Sequence, residues 1–126
     1  MKKEVVWMGS TLKDIKNFPE AARSEAGQAL YLAQLGERSI STSPLTGFGG
    51  ASVLEIIIPE KGDTFRAIYT TKFDTAIYVL HAFKKKAKKG IKTPLQDMKL
   101  VRSRLKDAEI LHRAKAKAAA SEKKNE

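Results

Sequence analysis

"SVLEIIIPEKGDTFRAIYTTKFDTAIYVLHAFKKK", residues 52–86, decides the fold. Three runs in it, 52–58, 64–71 and 76–83, are dense in β-branched and aromatic residues, which is strand composition. The connectors "PEKGD" and "KFDT" between them are of hairpin length. The stretch therefore predicts an antiparallel meander. It ends on an abrupt change: Val79, Leu80, Ala82 and Phe83 suit a core, whereas Lys84, Lys85 and Lys86 suit water or a polyanion.

Working outward, Lys3 to Trp7 reads as a short first strand. Thr11 to Lys16 reads as a short helix, with Thr11 and Asp14 at capping-box spacing. Pro19 then opens a helix whose apolar stripe is Ala22, Ala26, Ala29, Leu30 and Ala33, with Gly36 as its terminator. The stretch "ERSISTSPLTGFGG" reads as loop. Downstream of the lysines, Thr93 stands at a cap position and Pro94 at the first helical position. Leu95, Met98, Val101, Leu105 and Ala108 form the stripe of a last helix. From about Leu111 the chain keeps helix-favouring alanines without an apolar face, and a flexible tail is expected. The expected fold class is α+β: a small antiparallel four-stranded sheet, two N-terminal helices on one face and a C-terminal helix. The expected division is a domain over 1–108 and a basic Ala/Lys-rich tail over 109–126.

The length of 126 residues suits one domain with one modest core, and 42% apolar against 30% charged residues fits a globular chain. No apolar run approaches the length of a membrane span. The N-terminal "MKKEVVWMGS" is apolar only from Val5 to Met8, too short for a signal-peptide core. The absence of cysteine excludes a disulfide framework and thiolate chemistry, and a reducing cytoplasm is the expected location.

Charge is unevenly distributed. Residues 1–83 carry nine Lys and Arg against nine acids; residues 84–126 carry fifteen against five, so the whole net charge of +10 begins where the last strand ends. Such asymmetry points to a polyanionic partner, or else to a solvated tail.

Candidate chemistry gathers on the last two strands. Arg66, flanked by apolar residues in "FRAIY", either pairs with an acid, Glu55 being the obvious one, or offers its planar fork to a phosphate. His81 alternates with Val79 and Phe83 and is either a core histidine or a proton-transfer group. Tyr69 and Tyr78 pack, or stack on a base. Crowding among Lys84, Lys85 and Lys86 disfavours their charged forms, one way to make a lysine neutral enough to act as a base. No second histidine lies near His81, so no histidine metal site is expected. "GFGG" at 47–50 lacks the Lys-Ser/Thr of a phosphate loop and reads as a turn; no triad signature is present.

Taken together, "VVWMGSTLKDIKNFPEAARSEAG", "LEI", "FRAIY", "YVLHAFKKK" and "KTP", in this order from about Val5 to Leu105, resemble the HigB-like toxins of the RelE/ParE superfamily, in the phage-derived subgroup of bacterial type II toxin–antitoxin systems. The resemblance implies a RelE-like fold with a basic cleft and a ribosome-dependent mRNA endonuclease that works by transesterification without metal or other cofactor. It implies that Arg66 holds the scissile phosphate, that Lys84 and Lys86 are catalytic, and that His81 is a further acid. Lys85, Lys88, Lys89, Lys92 and Tyr69 would bind RNA or the ribosome. It also implies a cognate helix-turn-helix antitoxin of HigA type, with operator DNA reached only through that antitoxin, and no membrane partner. One departure is the lack of any tyrosine after Tyr78, where ribosomal nucleases of this superfamily often carry a stacking tyrosine. The alternatives are a non-catalytic gyrase inhibitor of ParE type and a basic RNA-binding accessory protein.

Overall fold

The computed structural model describes residues 2–50, 52–86 and 93–124, with backbone alone for Lys86, Lys123 and Lys124. The element order is β1 (Glu4–Trp7), α1 (Thr11–Lys16), α2 (Glu20–Gln34), β2 (Thr42–Pro44), β3 (Val53–Glu60), β4 (Asp63–Thr70), β5 (Ala76–Lys86) and α3 (Leu95–Lys124). The fold is α+β as expected, but the sheet has five strands in the order β1-β5-β4-β3-β2. The additional strand, β2, comes from the Ser/Thr-rich segment expected to be loop. Ser43 and Pro44 have weak strand propensity, and pairing with β3 overrides it. The meander β2 to β5 is antiparallel, while β1 lies parallel to β5.

The β3–β4 hairpin turns on Lys61 and Gly62, both at positive φ (48° and 86°). That pair of left-handed residues is the turn whose twist matches two flanking antiparallel strands. It sets Arg66 opposite Ile57 and thereby fixes which face of β4 the arginine occupies.

Each face of the sheet has its own core. On the first, Ala22, Ala26, Ala29, Leu30 and Ala33 of α2 and Ile15 of α1 cover Leu54, Ile56, Ile58, Phe65, Ala67, Tyr69, Ile77 and Val79. The alanine stripe was legible, and its small side chains let α2 lie close. Gly36, at φ 83°, ends α2: Gly36 N–H donates to the Ala33 carbonyl (3.0 Å) and Glu37 N–H to the Leu32 carbonyl (2.9 Å). On the second face, Val101 and Ala108 of α3, with Met98 and Leu105, cover Val53, Ile68, Ala76, Tyr78 and Leu80.

Three expectations about caps and ends change. Ser10 rather than Thr11 precedes α1, and Ser10 Oγ bonds Asp14 Oδ2 at 2.7 Å, while Thr11 is fully buried. Leu95 opens α3 but is 68% exposed, so the stripe begins at Met98. The segment beyond Leu111 is helical through Lys124. It is tied down as far as Lys115: His112 stacks on Phe73 with ring centroids 4.4 Å apart, and its Nδ1 lies 3.0 Å from Tyr78 Oη. Lys115 pairs with Glu4 at 3.0 Å, and Lys72 with Glu109 at 2.6 Å. These contacts need the β4–β5 turn and β1 in place, so a local reading of 111–124 had no access to them.

Candidate active site

β5 continues as a strand through the lysines, with Lys84 opposite Phe65, Lys85 opposite Thr64 and Lys86 opposite Asp63. The run therefore alternates between faces instead of leaving the sheet as a cluster after Phe83. Lys84 falls on the face of α1 and α2 and pairs with Asp63 at 3.4 Å, its side chain half-exposed. Lys85 falls on the α3 face, in line with Phe83 and beside Arg66. Its amine is held below the usual lysine range, chiefly by partial burial and next by the Arg66 charge; Glu55 and Asp97 oppose the shift.

Arg66 is only 3% exposed. Its Nη1 donates to Glu55 Oε2 at 3.2 Å, and the Thr93 hydroxyl donates to the same oxygen at 2.8 Å. Thr93, expected to cap α3, thus spends its side chain on Glu55 and ties the start of α3 to β3. The carboxylate and guanidinium sit on adjacent strands of the α3 face, where the β3–β4 register makes them diagonal neighbours.

His81 reaches this face through a bulge. The β4–β5 register shifts between Ile68 and Tyr69, so Leu80 and His81 both lie toward α3, while Val79 packs on the other side. The simple alternation of His81 with Val79 fails for that reason. His81 Nε2 and Asp97 Oδ1 are 2.6 Å apart, and the ring stacks on Phe83 with centroids 4.7 Å apart and planes tilted by 17°. The other ring nitrogen, Nδ1, is buried and has no hydrogen-bond partner among the described residues. Nε2 is engaged by Asp97, and that contact fastens the first turn of α3 to β5.

Tyr69 is fully buried, in the core under α2 and on the face away from Arg66. Burial raises its pKa, with Thr42 and Arg38 opposing, and the ring exposes no face on which a base can stack. Tyr78, the other stacking candidate, is fully buried under α3. The side chain of Lys86 and all of Lys88, Lys89 and Lys92 lie outside the described residues.

The structure thus brings together Arg66, Lys85 and His81 at one end of the α3 face and sends Lys84 and Tyr69 to the other side. Beside Arg66 and Glu55 an open cavity of about 520 Å³ is lined by Ser43, Pro44, Leu45, Thr46, Glu55, Ile57, Thr93 and Met98. A family model of phage-derived Gp49-like proteins (DUF891) matches residues 13–106, three-quarters of the chain.

The chain belongs to the Gp49-like family.

Among solved structures, an arginine-to-alanine double mutant of E. coli toxin RelE in the free state is similar, with a TM-score of 0.51 and 17% sequence identity over 70% of this chain and 86% of that one. At that identity the likeness speaks for the fold, which is RelE-like. No curated protein matches the sequence. Family and fold agree with the resemblance to the RelE superfamily of toxins.

Two residues of this Gp49-like site escaped sequence reasoning. Asp97 lies sixteen residues from His81, in the first turn of α3, and no spacing rule joins them. Thr93 carries a cap signature that concealed its bond to a strand three elements back. Among the described residues no group of three or more His, Cys, Asp or Glu is arranged to hold a metal ion, and no helix is long and apolar enough to cross a membrane.

Proposed function

We propose that this Gp49-like protein is the toxin of a type II toxin–antitoxin module and cleaves messenger RNA on the translating ribosome, with a cognate helix-turn-helix antitoxin as its inhibitor. The carrying observation is Lys85: an amine with lowered proton affinity beside a guanidinium, at the open end of a sheet face where the chain's net charge begins.

In this reading the RNA 2′-oxygen attacks the adjacent phosphorus, the bond from phosphorus to the 5′-oxygen breaks, and a 2′,3′-cyclic phosphate forms. Lys85, as free amine, takes the 2′ proton. Arg66 supplies the fixed positive charge for the phosphorane oxygens, which gain charge in the transition state. The departing 5′-oxygen takes its proton from water, since Lys84 sits on the opposite face of the sheet, paired with Asp63. His81 and Asp97 hold β5 and α3 in register so that these groups keep their spacing. Lys88, Lys89 and Lys92 grip backbone phosphates. No step calls on a metal or other cofactor.

The burial of Arg66 against Glu55 favours a second reading, in which that pair is structural and the protein inhibits its target without cutting, as a gyrase inhibitor of ParE type would. A pulse of expression in bacteria, with mapping of new RNA 5′ ends, separates the two. Cuts in translated frames from the wild type that vanish in Lys85→Met support the nuclease, since a partly exposed lysine is replaced without disturbing the core. Growth arrest with DNA damage and no new ends would sink it in favour of the non-cutting inhibitor.

A further inference from the structure

α3 carries a second basic feature, remote from Arg66 and unused by the cleavage chemistry. Lys99, Arg102, Lys106, Arg113 and Lys117 are all exposed. At 3.6 residues per turn they fall within an arc of about 60°, centred roughly 140° round the helix from Val101 and Ala108, which face the sheet. From Lys99 to Lys117 the row spans about 27 Å at 1.5 Å per residue.

The row is uniform in sign. Arg102 and Lys106, and again Arg113 and Lys117, are like charges four residues apart, a spacing at which they repel and disfavour the helix. None of the five makes an ion pair among the described residues. Asp97, Asp107 and Glu122 point elsewhere round the helix. Glu109, at the border of the row and four residues before Arg113, accepts a hydrogen bond from Lys72 Nζ at 2.6 Å, while the Arg113 and Lys106 charges add less to the lowering of its pKa. Arg102 leans over the Phe48 ring at 5.3 Å, a contact that brings no acid to it. A helix face built only for solubility would mix signs.

We infer that this row on α3 is a docking surface for the phosphate backbone of double-stranded RNA, separate from the candidate active site. A line of cations along one helix face matches the phosphate rows of a duplex, which is recognised by shape and backbone. Single strands are held by aromatic platforms, and the row contains only Ile110 between its cations. A membrane-surface helix needs a free apolar face, and that of α3 is spent on the sheet. The surface would hold the protein on structured RNA while the strand-end site meets its substrate.

The test is fluorescence anisotropy of the full chain with a mixed-sequence RNA duplex of twenty base pairs, at several salt concentrations. The stripe variant is Lys106→Gln/Arg113→Gln/Lys117→Gln, in which glutamine keeps helix propensity. The control, Lys13→Gln/Lys16→Gln/Arg38→Gln, removes the same charge from other exposed positions. The stripe variant should lose at least about tenfold in affinity and shed up to about 2.7 from the slope of log K against log salt, on the B-DNA value of about 0.9 per phosphate contact. The control should stay within about threefold of wild type.

Equal losses in both triple variants would reduce the effect to net charge and overturn the assignment. So would tighter wild-type binding to a single strand, to anionic vesicles of phosphatidylserine and phosphatidylcholine, or to no nucleic acid at all. Duplex binding that survives Lys85→Met, in a protein that never cuts RNA, would sink the nuclease reading and leave this surface standing.

Discussion

Removing one partner of the Arg66–Glu55 pair should unfold more of the population than removing both. The side chains are 3% and 7% exposed and their atoms 3.2 Å apart. At an effective dielectric of 20 that separation gives about 5 kcal/mol of attraction, of the same order as the cost of desolvating the two ions. The intact pair is therefore near balance, while half a pair is not. Glu55→Met leaves the guanidinium without this carboxylate and the Thr93 hydroxyl without its acceptor; Arg66→Met leaves a buried carboxylate facing a methyl group. Each single change should cost about 3 kcal/mol or more. With unfolding entropy of about 2.1 cal/mol/K per residue, about 265 cal/mol/K for this length, that is a fall of about 11 °C in Tm. The double variant should return to within about 4 °C of wild type. Thermal unfolding followed by circular dichroism on the four proteins gives the cycle directly. If the losses of the singles simply add in the double, with a coupling below about 0.5 kcal/mol, the pair does not act as a unit and the reasoning fails. The double variant also separates fold from chemistry. Restored in stability but lacking Arg66, it should still not cleave RNA, and cleavage by it would remove Arg66 from the mechanism.

Other outcomes follow from the same geometry. Lys85→Arg keeps the charge but holds its proton, so cleavage should fall by at least about 10² while RNA binding stays, the lower end of the range for a lost general base. In the wild type the rate should rise with pH as Lys85 deprotonates and level off at lower pH than an ordinary lysine would give, because its proton affinity is depressed; a pH–rate profile unchanged in Lys85→Arg would contradict this. Truncation after Leu111 removes His112 from the buried Tyr78 hydroxyl and should cost about 1–3 kcal/mol, whereas truncation after Lys115 should cost little; equal Tm values for the two would show the helix end to be undocked. Glu109 has its pKa lowered, first by the hydrogen bond from Lys72, so the carboxylate stabilises the fold above its unfolded pKa and that contribution fades as pH falls through the folded value. Glu109→Gln should accordingly lose less than about 1 kcal/mol at pH 7, and the gap to wild type should close in acid. A gap that widens in acid would reverse the assignment.

Much of the fold was legible because its signals are local. The meander followed from β-branched runs and short connectors, α2 from its alanine stripe and Gly36, and α3 from the spacing of Met98, Val101, Leu105 and Ala108. Arg66 and the basic strand end also stood out, since an arginine among apolar residues and a break in charge need no partner to be noticed. The fifth strand did not: Thr42–Pro44 is a strand only because β3 offers an edge. The face of His81 was unreadable because one bulged residue shifts the alternation. Which lysine joins Arg66 was equally hidden. Three identical neighbours carry no phase of their own, and only the register with Thr64 and Phe65 separates Lys85 from Lys84.

The sequence by itself determined seven of the eight elements and their order, the two apolar stripes, and the confinement of net charge to the last third of the chain. All of these depend on composition and on periods of two or 3.6 residues, which reside in the chain. Tertiary structure alone decided that Glu55 neutralises Arg66, that Asp97 holds His81, that Tyr69 is sealed under α2, and that Lys85 shares Arg66's surroundings. Each of these joins residues from different elements, and a pairing of that kind has no energy until the sheet and helices have brought its partners together.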